Sequence, residues 1–129
     1  MEHVFTESQM EKDLGYARAV CVDGWIYVSG TAGMDYPTGE IPEDVGEQTR
    51  LMLRNMEAAL TKLGSGFQDV VKRAIYIRDT ADTRLIYDII GEAMAGKCKP
   101  ASQGFRTDFL HPQIKVEMTL VARRGCGSA

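Results

Sequence analysis

Glu117 stands in the middle of "IKVEMTLVA" (114–122), a stretch that alternates like a strand. Ile114, Val116, Met118, Leu120 and Ala122 point one way, and Lys115, Glu117 and Thr119 point the other. An acid on the face away from the core is either solvated, paired with Lys115 or Arg123, or part of a pocket wall. In a pocket it would orient or activate water as a general base, and a cation should stand near it. Two further polar residues sit where strands begin or break. Tyr16 follows Gly15 at the head of a hairpin, and its plain reading is an edge tyrosine. Ser29 ends a strand just before Gly30, where the backbone can approach a ligand, and its plain reading is a serine closing a turn.

Other chemistries find little support. There is no G-x-x-x-x-G-K-[ST] loop and no G-x-G-x-x-G fingerprint, and "SGTAG" (29–33) has neither spacing. No serine lies in a G-x-S-x-G elbow. His3 lies in a polar segment and His111 beside Pro112, so a Cys98–His111 or Ser–His nucleophilic pair would need an accident of folding. Two isolated histidines and scattered thiols do not make a metal site, so neither metal nor cofactor is expected.

The elements that must position these residues follow from periodicity. "YARAVCVDGWIYVSG" (16–30) reads as two strands turning at Asp23-Gly24. "TAGMDYPTGEIPE" is a loop. A helix over 44–63 starts at Asp44 and Glu47, buries Met52, Met56, Ala59, Leu60 and Leu63, and ends at Gly64. "VVKRAIYIRD" (70–79) is a strand, and a second helix capped by Asp79 or Thr80 carries Ile86, Ile89, Ile90, Ala93 and Met94 on one side. Strands over about 101–107 and 113–124 close the chain, with a short one near Val4. The expected fold is α+β, one mixed sheet covered on one face by two helices. Trp25, Tyr27, Ala17 and Ala19 do not fit in the helix-side layer, and a large apolar open face marks an interface, so a homo-oligomer is expected.

At 129 residues the chain is expected to form a single domain over 1–129, with a polar segment at about 1–14 and a frayed tail at about 125–129. Fifteen basic and eighteen acidic side chains are interspersed without a basic stripe, which argues against a nucleic-acid partner. No apolar run approaches the ~20 residues needed to span a bilayer, so no membrane partner is expected. The polar, acidic N-terminal stretch is not expected to act as a secretory signal, and three unpaired-looking cysteines suit reduced thiols, so a cytoplasmic location is expected.

Read together, "GYARAV" (15–20), "WIYVSGTAG" (25–33), the long segment from Thr38 to Asp79, and "PAS…HPQIKVEMTLVA" (100–122) resemble the Rid family of reactive intermediate deaminases, also called YjgF-like or liver perchloric-acid-soluble proteins. The resemblance implies a chorismate-mutase-like fold and a homotrimer packed through its sheet faces, with inter-subunit clefts lined by two chains. It also implies a small-molecule ligand, and hydrolysis of 2-enamino or 2-imino acids to the keto acid and ammonia without metal or organic cofactor. Carried over, the family's tyrosine is Tyr16, its serine is Ser29 beside Gly30, and its water-positioning glutamate is Glu117. The arginine that forks onto the substrate carboxylate is replaced by Ser102, the serine after it by Gln103, and an asparagine-type position by Tyr87. One neutral hydroxyl does not replace a bidentate guanidinium, so the archetypal 2-imino acid reaction is in doubt. Arg106 shares the strand face of Ser102 but lies roughly 13 Å further on at about 3.3 Å per residue, and Arg18 or Lys115 can also border the cleft. The resulting expectation is a cleft protein that acts on an enamine, imine or related carbonyl metabolite. Its alternative is a non-catalytic metabolite-binding or regulatory trimer. An endoribonuclease reading is weakest, since the chain lacks a basic patch and a base-stacking platform.

Overall fold

Asp23 and Gly24 both take positive φ (51° and 81°), the left-handed pair that a two-residue hairpin needs. They join β2 (Ala19–Val22) to β3 (Trp25–Ala32). The computed structural model describes residues 1–128, and it adds β1 (Glu2–Val4), β4 (Val70–Ile77), β5 (Ala101–Arg106) and β6 (Val116–Arg123). The sheet runs β1-β2-β3-β6-β4-β5. β5 lies parallel to β4 and every other pair is antiparallel, so the sheet is mixed.

Among the described residues three α-helices accompany it: α1 (Gln9–Leu14), α2 (Val45–Lys62) and α3 (Thr83–Met94). Asp44 caps α2 by accepting the Glu47 N–H, and Gly64 closes it in the left-handed region. Met52, Met56 and Leu60 of α2 and Ile86 and Ile90 of α3 pack against Ile26, Val28, Ile75, Met118 and Leu120 of the sheet. The second helix begins later than expected, because Asp79 first caps a 3-10 turn over Thr80–Asp82. α1 lies inside the segment expected to be merely polar. Ser8 caps it and Gly15 (φ 72°) ends it.

Two expectations need correction. Ala19 was grouped with Trp25 and Tyr27, but it pairs with Val28 and is buried on the helix side. The open face instead carries Val20 and Val22 beside Tyr27 and Trp25. The tail was expected to fray. The Asp69 carboxylate accepts hydrogen bonds from Ser65 Oγ (2.6 Å), Gly125 N (3.0 Å) and Gly127 N (2.9 Å), which fixes a 3-10 turn over Cys126–Ser128. A Cβ at Gly127 would meet the Gln68 carbonyl oxygen at 2.0 Å, so only glycine allows this approach. Ala129 lies outside the described residues. Among the described residues no helix is long and apolar enough to cross a membrane.

Candidate functional site

The site begins at a break in β3. Its register with β6 steps from Val28↔Leu120 to Thr31↔Met118, one residue more on β3, so Ser29 and Gly30 form a bulge. The bulge sets Gly30 against Glu117, where a Cβ at residue 30 would lie 3.3 Å from Glu117 Oε2. The Gly30 carbonyl accepts a hydrogen bond from Arg18 Nη2 at 2.9 Å. Ser29 donates its hydroxyl to the Ala17 carbonyl at 2.8 Å, tying the bulge to the segment that leads into β2.

Arg18 is 2 % exposed. Its guanidinium carbon lies 4.2 Å from the Tyr36 ring centroid and 5.6 Å from that of Tyr16. Nη1 lies 4.0 Å from Glu11 Oε2, and the Glu11 carboxylate is held by the Thr6 N–H (2.9 Å) and hydroxyl (2.6 Å). Arg18 Nε and Nη1 make no hydrogen bond among the described residues. Tyr16, Arg18, Gly30, Tyr36 and Glu117 form the polar part of the wall of a cavity of about 700 Å³. Met34, Phe109 and Ile114 contribute an apolar wall. Burial pushes the Glu117 carboxyl above its ordinary pKa, and the Arg18 charge offsets part of that rise. Burial likewise pushes the Tyr36 phenol up, against the pull of Arg18 and the Ala32 N–H.

The cation expected beside Glu117 is therefore Arg18, from the start of the hairpin. Lys115 instead donates to the Glu43 carbonyl, outside the cavity. His111 does line the cavity, but its Nδ1 accepts the Gln113 N–H at 3.2 Å, which suits a turn.

The remaining candidates gather at the β5 edge, outside the cavity wall. Ser102 Oγ accepts a hydrogen bond from Arg73 Nε at 3.0 Å, so a guanidinium does stand beside residue 102. Tyr87 projects from α3 over Gly104, where a Cβ would meet its hydroxyl at 2.2 Å. Gln103 and Arg106 are exposed on β5, opposite Ala74 and Ile77 of β4. One chain thus brings Tyr16, Gly30 and Glu117 together and leaves Tyr87, Ser102, Gln103 and Arg106 apart. Sequence reasoning missed Tyr36 and Glu11 altogether. Tyr36 lies in an irregular loop with no period to flag it, whereas Glu11 was signalled by Ser8-x-x-Glu11 ahead of Gly15. A half-buried carboxyl with a raised pKa beside a phenol and a guanidinium can take up and return a proton. Among the described residues no group of three or more metal-ligating side chains occurs.

Comparison with known proteins adds to this geometry. Residues 6–124 match the family model described as Endoribonuclease L-PSP. A RutC family protein of Pyrococcus abyssi is 32% identical over 122 residues, which are 94% of this chain and 95% of that protein. The rat protein named 2-iminobutanoate/2-iminopropanoate deaminase is 32% identical over 111 residues, 85% of this chain and 80% of that one. Among solved structures, Rv2704 of Mycobacterium tuberculosis, described as a member of the highly conserved YjgF/YER057c/UK114 family, superposes with a TM-score of 0.83 at 31% identity, covering 95% of this chain and 98% of that one.

Proposed function

We propose, for a chain that belongs to the Endoribonuclease L-PSP (YjgF/RutC) family, a hydrolase that converts a small imine or enamine to the corresponding carbonyl compound and ammonia. The observation that carries this reading is Glu117, half-buried in the cavity with its pKa raised by burial and partly restrained by Arg18. A carboxyl that burial makes hold its proton more tightly, beside a cation that steadies its ionised form, can serve as general base and general acid in turn. The deaminase name of the rat relative supports the same chemistry.

In this reaction the ionised Glu117 takes a proton from water as the water oxygen bonds to the imine carbon. The C=N π pair moves to nitrogen, which receives the proton back from Glu117. Glu117 next takes the new hydroxyl's proton and passes it to nitrogen, the C–N bond breaks, and ammonia leaves as the carbonyl forms. Tyr16, Gly30 and Arg18 shape the polar end around the reacting carbon. We assign the complete site to a homotrimer, in which Tyr87, Ser102, Gln103 and Arg106 of a second copy reach the cavity mouth. The endoribonuclease reading has weaker support, since the cavity presents one guanidinium already paired with Glu11. A second reading, a binding protein without turnover, is favoured by Ser102 standing where the archetype has its carboxylate-clamping arginine.

The test is hydrolysis of 2-iminopropionate generated in situ by an amino-acid oxidase. Wild type should accelerate keto-acid release, and Glu117→Ala should abolish the acceleration. A silent wild type together with an active Ser102→Arg variant would favour an intact cleft that serves another ligand.

A further inference from the structure

We propose that Tyr36 is a further ligand-contacting residue of this cavity, donating its phenolic hydrogen to the nitrogen or oxygen of the ligand's C=N or C=O group across from Glu117. The inference rests on the reading of the cavity as a site of imine hydrolysis, and it adds to that reading a group from the loop after β3.

The hydroxyl's hydrogen-bond accounting carries it. Tyr36 is 9% exposed, and its oxygen accepts the Ala32 N–H at 2.9 Å. That contact uses an acceptor lone pair and leaves the O–H unspent, with no acceptor for it among the described residues. A phenol buried this far ordinarily finds a partner for its hydrogen. Tyr36 lines the cavity, and the Glu117 charge is close enough to act on it. The Arg18 guanidinium, anchored on the Gly30 carbonyl, lies 4.2 Å over the ring and holds it in place.

Burial raises the phenol's pKa, so Tyr36 stays neutral and gives a hydrogen bond without losing its proton. Its target is the atom on which negative charge gathers as water adds. When the π pair of C=N moves to nitrogen, the Tyr36 hydrogen bond to that nitrogen strengthens. Glu117 still supplies the transferred proton, and no net proton leaves the phenol. A fixed donor at such a point is worth about 100-fold or more in kcat. The ligand class follows: the reacting group must be an sp2 C=N or C=O with a free lone pair, since a saturated amine offers nothing for Tyr36 to polarise.

Tyr36→Phe tests this directly, because it keeps the ring on Arg18 and removes only the hydroxyl. With 2-iminopropionate, kcat should fall about 100-fold while KM changes little. The Ala32 amide proton, followed by NMR, gives a readout independent of turnover. Titrating wild type with pyruvate, a carbonyl probe, should shift that resonance, because a phenol that donates becomes a better acceptor. In Tyr36→Phe the shift should vanish. Unchanged kcat in Tyr36→Phe, with Ala32 static while other cavity amides respond, overturns the assignment and leaves the hydrolase reading standing. A wild type that does not hydrolyse the imine, yet shows the Tyr36-dependent Ala32 shift, keeps the donor and removes the hydrolysis. Silence in both measurements overturns both.

Discussion

At residue 117, burial and a neighbouring guanidinium pull the carboxyl in opposite directions, and burial wins. The folded chain therefore holds that proton more tightly than the unfolded chain does. Below the unfolded pKa of about 4.3 both states are protonated and nothing is lost. As pH rises through the raised folded value, ionisation in the folded state becomes a cost. Glu117→Gln should therefore raise the urea midpoint above wild type at pH 7, with the gap closing at pH 4. Imine hydrolysis should fall at least 100-fold in the same variant, the usual scale for losing a general base. Arg18 behaves oppositely. Arg18→Ala removes the only ion-pair partner that Glu11 has among the described residues and leaves that carboxylate buried, which should cost about 3 kcal/mol in urea unfolding. Glu117 was legible because strict alternation along 114–122 put it opposite a core row. The partnership of Arg18 with Tyr36 was not, since it depends on how a loop folds back over the residue just ahead of β2, eighteen positions earlier in the chain.

At the scale of elements, α2 announced itself through the Asp44 cap, an apolar row and Gly64, and it forms within one residue of the expected ends. α1 carried a cap and a terminating glycine as well. Over its six residues only Glu11 is buried, so no apolar period exposed it. Tertiary contact from Glu11 to Arg18 holds it where periodicity cannot. The β2–β3 hairpin turn was readable from Asp23-Gly24, but the faces of β2 were not, because register alone decides which of Ala19 and Val20 turns inward. The junction of α2 with the end of β3 is tighter than either element suggests. A Cβ at Gly33 would lie 2.0 Å from the Gln48 carbonyl oxygen. Gly33→Ala should therefore destabilise the chain by about 1–3 kcal/mol, seen as a lower urea midpoint with an unchanged slope.

Across the whole molecule, two helices cover one face of the sheet and leave Trp25 (38% exposed) and Tyr27 (48% exposed) on the other. If three copies close over that face, sedimentation should report three chain masses for wild type, and Tyr27→Glu should release monomers by burying a charge in the contact. Imine hydrolysis should disappear with assembly in that variant, because Ser102 of β5 and Tyr87 of α3 lie apart from the Glu117 cavity within one chain. The clasp at Asp69 has a consequence of a different kind. Burial raises that carboxyl, but the hydrogen bonds from Ser65, Gly125 and Gly127 outweigh it and hold its pKa below the ordinary value. Its stabilisation is therefore complete above the unfolded pKa of about 3.9 and fades only as pH drops through the lower folded value. An exopeptidase working inward from the C-terminus near neutral pH should accordingly stall at Gly127, and in Asp69→Ala it should run on to the end of β6, leaving two digestion products that mass spectrometry separates by the residues the clasp had shielded.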